Sequence, residues 1–153
     1  MIGRIRLAAL TILAFLGALV VSGVGGCNIH ELGHLVTGRL AGVPVEDLIW
    51  CAPGNGRVVF AYQEPAWVGY AGGFTAALVL FGVYRWFVWP RLSSRVWWFA
   101  GVAVMGTAIS QVIVGALEGS SPVRYGELQD DAVGLALIFI GPLAVAAVIQ
   151  GLS

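Results

Sequence analysis

A chain of 153 residues that is 59% hydrophobic and only 10% charged falls far below the roughly 25% charged content of soluble domains. That excludes an ordinary water-soluble globule and points to an integral membrane protein, with the lipid bilayer as its first partner. The formal net charge is zero, so no nucleic acid or other polyanion is expected to bind.

In chain order, residues 1–6 followed by apolar 7–24 have the outline of a signal peptide. The apolar run continues without a small-x-small cleavage site into the next segment, so a retained membrane helix is expected. This first span, residues 5–24, meets Gly25-Gly26. A second helical stretch over 27–40 then ends at Gly42 and Pro44, with Asn28 as a candidate N-cap if the helix restarts there. The alternative is one helix running through the glycines. From Leu7 to Leu40 it would be ~51 Å long, more than a ~30 Å hydrocarbon core, so it must tilt, break or project. Cys27 and Cys51 are too few for a disulfide framework and lack the spacing of a zinc ribbon. They read as small apolar residues, with a single bridge between them left open.

Residues 45–50 and 57–62, around Pro53-Gly54-Asn55-Gly56, read as a β-hairpin. Three further apolar spans follow, over residues 66–88, 96–117 and 132–152. The first is rich in small residues that let helices approach closely in lipid, and the last carries Pro142, expected to kink it. Trp86, Trp89, Trp97 and Trp98 flank a turn at Pro90, where an aromatic belt would sit. The expected fold is therefore an all-α integral membrane protein of about four transmembrane helices with a small membrane-associated β-hairpin. Arg4, Arg6, Arg85, Arg91 and Arg95 gather at one end without acidic company, which places both termini in the cytoplasm by the positive-inside rule. The expected location is the cell membrane, crossed several times.

Chemistry concentrates in His30-Glu31-Leu32-Gly33-His34. Side chains four apart on a helix point the same way, so the two imidazoles converge and can bind zinc. Glu31 stands beside them as a general base toward the metal's water, whose pKa zinc lowers to about 7. These are the only two histidines in the chain, and ionisable groups in an apolar segment are costly enough that function is their default explanation. A third ligand must be a carboxylate or thiolate. Glu46 and Asp47 lie close downstream, while Asp130 and Asp131 open the last span and could equally cap its helix.

Three blocks in this order resemble the site-2 protease family of intramembrane zinc metallopeptidases, in its short, minimal-core form. They are Asn28-Ile29-His30-Glu31-Leu32-Gly33-His34-Leu35-Val36 with Gly38-Arg39-Leu40-Ala41-Gly42-Val43; Gly69-Tyr70-Ala71-Gly72-Gly73-Phe74-Thr75-Ala76-Ala77; and Asp131-Ala132-Val133-Gly134-Leu135-Ala136. The resemblance implies a single membrane-embedded metalloprotease-like domain over residues 1–153. It implies Zn2+ on His30, His34 and Asp131 (alternate Asp130), with Glu31 as the catalytic base. It also implies hydrolysis of peptide bonds in membrane-protein or transmembrane-peptide substrates. Two departures stand out: Gln129-Asp130-Asp131-Ala132 replaces the family's Asp-Gly, and the upstream Asn-x-x-Pro is missing, with Ser110-Gln111 the nearest polar residues. The contrasting expectation is a non-proteolytic metal-binding membrane protein or accessory subunit.

Overall fold

Helix α1 runs unbroken over Ile2–Leu40, about 58 Å at 1.5 Å per residue, in a computed structural model that describes residues 2–51, 56–121, 134 and 136–152. Gly25-Gly26 does not break it. A side chain at Gly26 would meet Leu80, Thr107 and Gln111 at 3.1–3.8 Å, so the glycine brings α1 close to its neighbours instead of ending it. Asn28 accordingly lies inside the helix and caps nothing. The helix stops at Gly42, whose φ of +74° suits glycine alone. Gly42 N–H donates to Arg39 O and Val43 N–H to Gly38 O, the paired bonds of a Schellman ending.

Strands β1 (Val45–Ile49) and β2 (Arg57–Phe60) follow. They pair antiparallel from Val45↔Phe60 to Ile49↔Arg57, with a register shift between Val45 and Asp47. The hairpin is thus present, with strands one to two residues shorter than expected. Residues 52–55 of its turn lie outside the described residues.

Helix α2 (Ala66–Val83) continues into a π turn over Tyr84–Val88 and a 3-10 turn over Trp89–Arg91. Pro90 has no N–H to offer the preceding turn and its ring crowds it, which accounts for the loosened geometry. Helix α3 spans Arg95–Ser120 and helix α4 spans Gly141–Gly151, the latter preceded by a π turn over Ala136–Ile140. Pro142 sits in the first turn of α4, where a missing N–H is harmless, and the irregularity falls just before it. Among the described residues, Arg4–Leu40, Ala66–Arg91 and Arg95–Ser120 are long and apolar enough to cross a membrane. Ala136–Gly151 is apolar but shorter, so the expected fourth span is seen only in its second part.

Helix α3 is the centre, packed against α1, α2 and α4. Its buried face is largely small: Ala100, Gly101, Ala103, Gly106, Ala108 and Gly115. Close backbone approach and interhelical hydrogen bonds hold such a bundle of apolar helices together. A Cβ on Gly115 would lie 2.9 Å from Gly73 Cα, which marks the α2–α3 crossing. The Ser22 and Thr107 hydroxyls, 3.0 Å apart, join α1 to α3, and Gln150 Nε2 donates to Trp98 O at 3.0 Å to join α4 to α3. The start of α1, the α2–α3 connection and the end of α4 therefore share one end of the bundle. The hairpin and the C-terminus of α3 share the other.

Candidate metal centre

At that second end, α1 presents His30 and His34 one turn apart, as their spacing requires. His30 is only 5% exposed and Glu31 only 6%. His34 Nε2 lies 2.9 Å from His30 Nε2. Glu118, from the last turn of α3, brings Oε2 to 2.9 Å from His30 Nε2 and 3.4 Å from His34 Nε2. Three ligand-capable atoms from two helices thus share one point. Donors about 2.0–2.1 Å from a tetrahedral zinc sit about 3.3 Å from one another, close to this spacing.

The other ring nitrogens are engaged. His30 Nδ1 is 2.8 Å from Gln111 Oε1, and His34 Nδ1 is 2.9 Å from Val68 O. Both partners are oxygens that can only accept, so each Nδ1 donates its N–H and Nε2 is the ring atom left to face inward as a ligand. Glu118 Oε2 is buried against both imidazoles. A cation at their centre would meet one donor atom from each of the three side chains. The residues present fit a zinc ion.

Small residues make the room. A Cβ on Gly72 would lie 2.6 Å from His34 Cδ2 and 2.8 Å from His30 Cδ2, so only glycine lets α2 pass over both imidazoles. Gly33, between the histidines, lies against the α2 backbone in the same way, with Ala71 O 2.9 Å from its Cβ position.

The hairpin closes the site from outside. The backbone N–H of Val58, in β2, faces the Glu31 carboxylate. Asn28 clasps the end of the hairpin's first arm: Cys51 N–H donates to Asn28 Oδ1 at 3.0 Å, and Asn28 Nδ2 donates to Cys51 O at 3.2 Å. A Cys27–Cys51 disulfide spans the same contact with Cα atoms 6.0 Å apart. The reading of these cysteines as small apolar residues is corrected: they are each other's partners, and Cys51 offers no thiolate to a metal. A cavity of about 930 Å³ opens beside the site, reached by His30, Glu31, His34 and Glu118 and continuing between α1 and α3 toward Leu143 of α4.

Of the expected site residues, His30, Glu31 and His34 come together. Glu46 and Asp47 belong to β1, where both are exposed and Asp47 Oδ1 accepts from Leu48 N–H at 2.8 Å. Asp131 and its alternate Asp130 lie outside the described residues. Glu118 is the residue that sequence reasoning missed. Its signal was present: Gln111 and Glu118 are seven apart, two turns along one face of an otherwise apolar helix. Comparison with family models, curated proteins and solved structures finds no match to this chain.

Proposed function

We propose that the chain is a membrane-embedded zinc metallopeptidase of the site-2 protease type. The observation that carries this reading is the convergence of His30 Nε2, His34 Nε2 and Glu118 Oε2, with Glu31 buried beside them. In this reading His30, His34 and Glu118 hold the metal. A zinc ion bound there supplies Lewis acidity, polarising a substrate carbonyl and bringing a water's pKa near 7. Glu31 takes a proton from the attacking water on one carboxylate oxygen and returns it to the leaving amine. The Val58 N–H holds that carboxylate in place, and Gln111 and Val68 O keep both imidazoles in the ligand tautomer. Strand β2 or β1 offers backbone groups to which an extended substrate segment can pair. A transmembrane helix has its own backbone bonds satisfied, so it must unwind before it can do so.

The arginine-bearing end faces the cytoplasm in this proposal. His30 is 26 residues beyond Arg4, about 39 Å along α1, so the metal centre sits near the opposite, extracytoplasmic interface. A disulfide beside the site agrees, because such bonds persist in oxidising compartments.

The test is hydrolysis of a transmembrane-peptide substrate by protein reconstituted in liposomes, with Glu31→Gln as the comparison. The proposal expects hydrolysis by the parent, loss by about 10²-fold or more in the variant, and unchanged zinc content. Zinc bound by both proteins without hydrolysis by either would favour a metal-binding accessory role.

A further inference from the structure

At the end of the bundle away from the metal centre, a second cavity of about 1080 Å³ lies in the cleft between α1 and α3, with Ala147 of α4 at its edge. Its walls are apolar: Leu7, Ile12 and Phe15 from α1, Phe99 and Val102 from α3, and Ala147 from α4. Its mouth carries two cations, Arg4 and Arg95. No acidic residue lines it, and among the described residues neither guanidinium is in an ion pair. Leu7 is 44% exposed, Ile12 58% and Phe99 37%, so the walls are open to whatever surrounds the protein. Polar groups that bind ligand by chemistry other than charge are few here: the Thr11 hydroxyl is already donated to Leu7 O at 2.9 Å.

We infer that this cleft is a binding site for one anionic glycerophospholipid, its phosphate between Arg4 and Arg95 and an acyl chain along the cleft toward Val102. Apolar, concave walls in a bilayer are filled by hydrocarbon, and guanidinium groups form paired bonds with phosphate oxygens. A basic pocket between apolar, span-length helices suits an anionic headgroup. A free phosphate would use the arginines and leave the walls bare; a neutral lipid would use the walls and leave the arginines unpaired. Only an anionic lipid uses both. The site is independent of the chemistry proposed at the other end.

The test is native mass spectrometry of the full chain in mild detergent, titrated with phosphatidylglycerol, phosphatidylcholine or glycerol phosphate. The parent retains one phosphatidylglycerol in preference to phosphatidylcholine and does not retain glycerol phosphate. R4Q/R95Q weakens phosphatidylglycerol retention about thirtyfold, at about 1 kcal/mol per arginine. R6Q/R85Q, which removes the same charge from the same end but outside the cleft, changes it less than about threefold. A147F, which fills the cleft while keeping both arginines, also loses the lipid. Helicity and elution volume, unchanged in all variants, keep misfolding apart from lost binding. Equal losses in the two arginine pairs would mean diffuse surface charge and overturn the site, as would a parent with no phospholipid preference. Retention of glycerol phosphate as strong as that of phosphatidylglycerol would overturn the role of the cleft walls.

Discussion

His30 Nδ1 and Gln111 Oε1 lie 2.8 Å apart, which locks an imidazole of α1 to a side-chain amide of α3. The amide oxygen fixes the proton on Nδ1 and so aims Nε2 at Glu118, which sits two turns further along the same helix as Gln111. One face of α3 therefore supplies both a donor to the metal position and the group that orients another donor.

Gln111→Leu is expected to weaken zinc binding about 10- to 100-fold, the usual cost of losing an outer partner of a ligating histidine. Gln111→Glu keeps an acceptor at that position and should restore most of the affinity. Competition with a zinc-binding dye on the purified variants measures both. Equal affinity in Gln111→Leu and the parent would show that the contact does not orient the ring.

One zinc per chain is expected in protein purified without chelator, and His30→Ala or His34→Ala should abolish it. Elemental analysis decides this. A metal-free parent, even after reconstitution with zinc, would remove the basis of the proposed chemistry.

The third ligand can be separated from its rival. Glu118→Gln should lower zinc occupancy sharply, because a neutral amide replaces the carboxylate at the centre. Asp131→Asn and Asp130→Asn should each leave occupancy close to the parent's, and stability too, because Asn caps a helix about as well as Asp. The reverse ranking in elemental analysis would restore the ligand set that the family resemblance implies.

Gly72→Ala should be severe for its size. The added methyl falls inside contact distance of both imidazole rings, and the α1–α2 approach leaves them nowhere to go. Loss of zinc with retained helicity by circular dichroism is the expected result. Full zinc occupancy in this variant would mean that α2 can back away without cost.

How much of this was legible in the residues depends on the range of the interaction. His30, Glu31 and His34 are ordered by the 3.6-residue period of one helix, so their convergence could be read directly. The hairpin followed from a turn sequence between β-rich runs. Gly25-Gly26 left both a break and a through-running helix open because a glycine pair signals a stop only where nothing else uses its bareness, and here Leu80 and Thr107 approach Gly26. Asn28 likewise has the chemistry of a cap, yet its amide serves the backbone of Cys51, 23 residues away. Glu118 escaped notice because its spacing from Gln111 marks a polar face but not the partner of that face, which depends on how α3 crosses α1. The Cys27–Cys51 bond was hidden for the same reason.

That bond closes a loop across 24 residues, a restraint of about 3.5 kcal/mol on the unfolded chain in the loop-entropy treatment. Its effect on the folded protein is to divide the site into a fixed wall and a free one. A two-stranded hairpin has little stability of its own. Covalently fastened one turn before His30, and clasped again by Asn28, it travels with α1 as a single piece. Hairpin, Glu31 carboxylate and histidines are thus joined in one piece. Beyond α3 the cavity reaches Leu143 at the start of α4, which among the described residues packs chiefly on α3 and is entered through a π turn. Any widening of the cavity would fall on that side, leaving the hairpin, Glu31 and both histidines together while the entrance changes shape.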